Sequence, residues 1–302
     1  MPIILPQLSR REFLKRAALA GAAAVLTPGC ASLASKSHDK HTFVFFSDPH
    51  IAADATLKNS GVNMADNLAA CVRELVAWPV KPGAVIVNGD MAFKDGSPGE
   101  YATFGKLIEP ARALAPLHLT LGNHDQRENF WLAFPQDASR QESVPQKQCA
   151  VFSSPRANWF LLDSLDKTNS TPGELGTAQL DWLDTGLAAR KELPAIIVSH
   201  HNLQTPGMTP GIKDSAALVE LFSKHPQVKA FIFGHTHDWH VSQHASGVHL
   251  INLPPTGYVF TAGRPSGWTR MTLARDGMEV ELRSLDTKHP EHAQVKQLKW
   301  RT

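Results

Sequence analysis

Thr42-Phe43-Val44-Phe45-Phe46-Ser47-Asp48-Pro49-His50 is a short apolar, β-rich run that ends on a carboxylate and an imidazole. β-branched and aromatic residues suit a pleated strand. The same pattern recurs along the chain. Ala84 to Asn88 is a second buried strand and ends at Asp90. Leu117 to Leu121 ends at Asn123-His124. Ala195 to Val198 ends at His200, and Ala230 to Phe233 ends at His235. In α/β sheets, ligands gather outside the carboxyl ends of the strands. Five separate segments therefore aim their metal-competent residues at one point.

Helix-like stretches alternate with these strands. Asn63 to Ala77 repeats apolar residues at Leu68, Cys71, Val72, Leu75 and Val76, until Pro79, Pro82 and Gly83 break the pattern. Ser97-Pro98 has the form of an N-cap and a first helical residue. Thr177 to Lys191, with Leu180, Leu183 and Leu187 facing inward, and Ser215 to Lys224 read as further helices. Cys149–Ser153 and Asn158–Leu162 form a strand pair. Strands around Val248–Leu253 and Trp268–Leu285 follow, the latter turning at Asp276-Gly277.

The chain has 302 residues, 42% hydrophobic and 19% charged, which excludes a mainly disordered protein. Its three cysteines, Cys30, Cys71 and Cys149, form no CxxC pair, so a thiolate zinc finger is excluded. Whether Cys71 and Cys149 pair stays open. The first thirty residues set Arg10, Arg11, Lys15 and Arg16 against Glu12, a charge of +3. That leaves 26 basic and 27 acidic residues, −1, for the remainder. The body lacks the basic excess of a general nucleic-acid binder.

Residues 1–30 read as an address. Ser9-Arg10-Arg11-Glu12-Phe13-Leu14-Lys15 precedes an Ala-rich apolar run from Ala17 to Leu26, too short to span a bilayer. The order resembles a twin-arginine export signal. It implies an export translocon as partner and a location in the periplasm or on the outer face of the membrane. Thr27-Pro28-Gly29-Cys30 resembles a lipoprotein box with Cys30 as the lipidated, membrane-anchoring residue. Cleavage near Ser32-Leu33-Ala34 is the alternative. Residues 31–41 read as a tether, 42–290 as one catalytic domain and 291–302 as a tail.

The motifs are Asp48-Pro49-His50, Gly89-Asp90, Gly122-Asn123-His124-Asp125, His200-His201 and Gly234-His235-Thr236-His237. Oxygen and nitrogen donors without thiolate suit Mn, Fe, Zn or Co. Two cations sharing one carboxylate can clamp a phosphate ester, and a water bridging them readily becomes hydroxide at neutral pH. That hydroxide would serve as the in-line nucleophile in place of a serine or cysteine.

This ordered set resembles the calcineurin-like metallophosphoesterase superfamily over roughly residues 42–285. Pro172-Gly173-Glu174-Leu175, with Gln179-Leu180 and Trp182-Leu183, is similar to a helix signature of the class III cyclic-nucleotide and glycerophosphodiester phosphodiesterase branch. The resemblance implies a four-layer α/β/β/α sandwich of two mixed β-sheets flanked by helices. It also implies two metal ions, one held by Asp48, His50 and His237 and the other by Asn123, His200 and His235. Asp90 would bridge them. His124 would face the phosphate and protonate the leaving oxygen, with Asp125 orienting it. The purple acid phosphatase branch carries Tyr where this chain has Phe93, so a coloured tyrosinate centre is not expected.

Arg127 reads either as a phosphate contact or as a surface residue, and His201 as a substrate contact or a polar loop residue. Asp163 reads as a structural residue beneath the site. The expected function is an exported phosphodiesterase acting on a small phosphate ester. Phosphomonoesterase activity is the close rival, and a non-catalytic scaffold of the same fold is the alternative of another class.

Overall fold

Strand β1 (Ser37–Ser47) carries the opening apolar run into the interior of a six-stranded sheet. The computed structural model describes residues 37–135, 137 and 144–302. Across the first sheet the order is β14 (Val295–Lys299), β13 (Gly277–Ser284), β12 (Gly267–Leu273), β1, β4 (Val80–Asn88) and β5 (Leu117–Thr120). β1, β4 and β5 run parallel, with Ser47 beside Asn88 and Asn88 beside Thr120, so their carboxyl ends lie level. The second sheet is ordered β10 (His240–Gln243), β11 (His249–Asn252), β9 (Val228–Phe233), β8 (Ala195–Val198), β7 (Ala157–Leu161) and β6 (Ala150–Ser154). Here β7, β8, β9 and β11 are parallel and the two edge strands antiparallel. A small ribbon, β2 (Lys58–Asn59) and β3 (Val62–Asn63), leads into the first helix.

Side-chain alternation builds the layers. Phe43, Phe45 and Ile86 face Trp159, Leu161, Ile196 and Ile232 across the gap between sheets, and Phe43 lies 4.3 Å from the Trp159 ring. Val44, Phe46, Val85 and Val87 point the other way, onto α1 (Met64–Ala77), α2 (Pro98–Arg112) and α3 (Arg127–Ala133). On the opposite face, Phe160, Ile197 and Phe231 pack against α4 (Thr177–Ala188) and α5 (Ser215–Lys224). The result is the expected four-layer α/β/β/α sandwich. The predicted helix starts hold: Asn63 accepts from the Asp66 N–H at 3.0 Å, and Ser97 donates its N–H to Glu100 at 2.9 Å.

The domain edges differ from the sequence expectation. Residues 37–41, expected as tether, extend β1, and Ser37, His38 and Asp39 pair with β4 before the register shifts. Their side chains are largely exposed, so no apolar pattern marks them. The expected C-terminal tail contains β14, an edge strand half-buried on one side and exposed on the other. Arg301 then donates to the carbonyls of Val228, Ser246 and His225 at 2.7–2.9 Å, and to that of Phe222. Cys71 and Cys149 are free, buried thiols. The signal segment 1–30, Cys30 and the first part of the tether lie outside the described residues.

Candidate metal centre

The motifs at Asp48, Asp90 and His235 leave their strands through turns that L-residues seldom adopt. Asp48, His50, Asp90, His235 and His237 have φ of 49°, 49°, 49°, 65° and 51°. Such conformations cost about 1–3 kcal/mol each and persist only where the surroundings over-determine them. Here they do. Asp48 N–H donates to Gly89 O (3.3 Å), His50 N–H to Asp90 O (2.9 Å) and Gly234 N–H to His200 O (2.9 Å). His235 N–H donates to both Asp48 oxygens at 3.1 and 3.2 Å, tying the second sheet to the first. Asn88 adds a second tie: its amide donates to Ser199 O at 3.0 Å while its Oδ1 accepts from Thr120 at 2.9 Å. Two glycines are obligatory in this crowding. Gly89 has φ +77° and a Cβ there would press into the His200 ring; at Gly122 it would meet the Asp90 carboxylate.

The donors gather in three overlapping groups: Asp48, His50 and His237; His50, Asp90 and His124; Asp90, His200 and His235. Within each, the donor atoms lie within 4.8 Å of one another. Asp90 stands between two of them, its Oδ2 3.6 Å from His50 Nε2 and 3.3 Å from His200 Nε2. Asp48 Oδ1 lies 3.5 Å from His237 Nε2, which is 2.9 Å from His50 Nε2. Asn123 Oδ1 and His200 Nε2 are buried without a hydrogen-bond partner. Buried polar atoms almost always have one. Orphaned donors among convergent oxygen and nitrogen atoms fit hard-to-borderline cations.

The outward nitrogens are held by backbone carbonyls. His200 Nδ1 meets Asn88 O at 3.0 Å, His237 Nδ1 meets Tyr258 O at 2.6 Å and His235 Nε2 meets Pro210 O at 3.1 Å. Donating the proton outward turns the opposite lone pair inward. Burial pushes His50 down to about 3 against the pull of Asp90, and pushes His235 down to about 3. Both are therefore neutral, as ligation requires. Burial opposes ionisation of Asp90, yet His200 and His50 hold it well below the carboxylate range. Burial likewise opposes the charge on His200, but Asp90 and Asp48 lift it to about 10. A cation entering between those carboxylates would displace that proton.

His124 is half-buried at the edge of this cluster, its ring 5.2 Å from that of His50. Its backbone N–H donates to Asp90 Oδ1 at 2.8 Å, and its Nδ1 pairs with Lys94 O at 2.9 Å. Lys94, rather than Asp125, therefore orients the ring. Asp125 is buried beneath the turn and accepts from Gly122 N–H (2.9 Å), Ala92 N–H (3.2 Å), Met91 N–H (3.3 Å) and the Tyr101 hydroxyl (3.2 Å). Burial and the charge of Asp90 push its carboxyl up to about 7.

Two more expectations are corrected. Arg127 points inward and grips Asp163 with two bonds, Nε to Oδ2 at 2.8 Å and Nη2 to Oδ1 at 2.9 Å. It does not line the phosphate position. Asp163 is the structural residue expected: Gln148 N–H and Leu165 N–H also donate to it. His201 is fully buried behind the His235 ring with Nδ1 on Ser164 Oγ at 2.8 Å, so substrate cannot reach it. The first histidine of the pair, His200, is the one brought to Asp90. The carbonyl partners at Asn88, Lys94, Pro210 and Tyr258 left no trace in the sequence, because any residue supplies a carbonyl.

Comparison with known proteins agrees with this geometry. A family model described as calcineurin-like phosphoesterase matches residues 41–239. The chain is 27% identical over 226 residues to a 3′,5′-cyclic adenosine monophosphate phosphodiesterase of Pseudomonas aeruginosa, covering 73% of this chain and 78% of that one. It is 31% identical over 216 residues to a probable cyclic nucleotide phosphodiesterase of Rhodococcus erythropolis, covering 66% of this chain and 65% of that one. A dimetal phosphatase from Danio rerio shares the fold with a TM-score of 0.68 at 18% identity, over 86% of this chain and 99% of that one.

Proposed function

This chain belongs to the calcineurin-like phosphoesterase family, a family of metal-dependent phosphoric-ester hydrolases, and from that premise we propose that it is a dinuclear-metal phosphodiesterase acting on 3′,5′-cyclic nucleotides. The observation that carries the proposal is the overlap of the donor groups at Asp90, which lies within reach of both His50 and His200. Asp48, His50 and His237 would hold one ion, and Asn123, His200 and His235 the other. Mn, Fe, Zn and Co all suit this donor set. When bound, the ions supply electrophilic pull on the phosphate oxygens and lower the pKa of water.

The protein's own residues do the rest. The buried carboxylates and imidazoles would hold the cations at rigid strand ends, and this sets where a phosphate can sit. His124, with Nδ1 on the Lys94 carbonyl, presents Nε2 to the ester. There it would stabilise the developing charge and deliver a proton to the leaving oxygen. The curated relatives named above support a diester over a monoester substrate. Export is part of the proposal and rests on the arginine pair and apolar run of residues 1–30 alone.

The test compares kcat/KM for cyclic AMP, bis-nitrophenyl phosphate and mono-nitrophenyl phosphate. Diesters should exceed the monoester by tenfold or more. His124→Ala should cost about 100-fold or more in kcat with metal retained. A preference for the monoester would overturn the diester reading, and a fully active variant would remove His124 from the chemistry.

A further inference from the structure

The segment following β11 holds two aromatic rings over the metal-binding turn. Phe260 is 62% exposed, yet its ring lies flat on His237, centroids 3.9 Å apart and planes 7° from parallel. One face covers a metal-ligand ring; the other is open. Tyr258 stands edge-on to it at 6.1 Å, and its own ring lies 4.8 Å from His237 and 5.1 Å from His50.

The backbone beneath these rings is pinned. Thr256 N–H donates to Ser47 O at 2.7 Å and Gly257 N–H to Asp48 O at 3.0 Å, gripping the strand end that carries the first ligand. Asn67 donates to Gly257 O at 2.7 Å, and Gly267 N–H closes the segment on Pro255 O at 2.9 Å. The Tyr258 carbonyl holds His237 Nδ1. One face of the Phe260 ring is packed on His237, while most of the residue stays exposed. Fixed beside the reacting centre, it is placed to receive a ligand.

We propose that Phe260, flanked by Tyr258, is the stacking platform for the planar ring of the substrate. This deepens, and rests on, the cyclic-nucleotide reading above. Phosphate held at the Asp48, His50 and His237 side leaves its organic substituent next to the open face of Phe260. Every nucleobase has a π face, so the platform selects ring-bearing diesters over ringless ones and discriminates weakly between bases. Base–aromatic stacking changes binding by roughly 5- to 150-fold.

The test measures kcat/KM for cyclic AMP and for glycerophosphocholine, a diester without a ring, in the wild type and in Phe260→Ala, Phe260→Leu and Phe260→Trp, with the metal content of each. The ratio of cyclic AMP to glycerophosphocholine should fall about tenfold or more in the Ala and Leu variants and return in the Trp variant. An unchanged ratio, or one that falls only in step with lost metal, overturns the platform. If the wild type does not hydrolyse cyclic AMP, the substrate reading fails by itself, and the platform is then read by inhibition of bis-nitrophenyl phosphate hydrolysis. AMP should inhibit at least tenfold more tightly than inorganic phosphate in the wild type and lose that advantage in Phe260→Ala. Equal inhibition in the wild type overturns it.

Discussion

Replacing Asp125 by Ala removes a carboxylate that collects four donors: the N–H groups of Gly122, Ala92 and Met91, and the Tyr101 hydroxyl. All surround a fully buried site. At about 1 kcal/mol per lost hydrogen bond, and somewhat more for each donor left buried and unpaired, the cost is about 4–6 kcal/mol. At about 2–4 °C per kcal/mol, the melting temperature should fall by roughly 10 °C or more. Gly122 leads directly into Asn123, and Met91 and Ala92 follow Asp90, so the same loss should loosen both Asn123 and Asp90. Asp125→Asn can keep part of the network and should lose about half as much. The assay is thermal unfolding with parallel metal analysis and turnover expressed per bound metal. Turnover should follow metal occupancy, because the Lys94 carbonyl still holds the His124 ring. If Asp125→Ala melts within about 1 °C of the wild type while turnover per bound metal collapses, Asp125 acts on His124 and the bracing role is wrong.

Arg127→Ala strands the buried Asp163 carboxylate, which should cost about 3–5 kcal/mol by urea unfolding, while KM for a phosphate ester stays within about threefold. A large rise in KM with unchanged stability would return Arg127 to the phosphate. His118 is buried against Phe152, ring on ring at 4.1 Å, and burial pushes it down from 6.5 to about 4. Between those values the unfolded chain binds the extra proton. Stability is thus fully present above pH 6.5 and drains away as pH falls to 4, by about 3 kcal/mol in all. His118→Phe should flatten this part of the pH profile; an unchanged slope from denaturation at pH 7 and pH 4.5 would count against it.

The site was legible where chemistry sits in side chains at strand ends. Asp48, Asp90, Asn123, His200 and His235 each follow an apolar run, and the parallel register levels those ends. The choice of His200 over His201 was legible for the same reason. Asp125 and Arg127 were misjudged because both follow closely after His124 in sequence, whereas the chain sends their side chains down into the protein, to Tyr101 and Asp163. Adjacency in sequence says nothing of side-chain direction at a turn, where the regular strand or helix period no longer applies. Residues 37–41 and β14 escaped because strands with mostly exposed side chains carry no full apolar pattern. The pairing of Tyr258 and Phe260 with His50 and His237 is a long-range contact across the sheet, invisible to local periodicity.

The most direct test of the metal centre is the metal content of the purified chain, measured by mass spectrometry alongside hydrolysis of bis-nitrophenyl phosphate before and after chelation. About two ions per chain, with turnover lost on chelation and restored by Mn, Fe, Zn or Co, is the expected result. A chain that binds no metal and stays inactive after reconstitution, or that turns over undiminished in chelator, would contradict it.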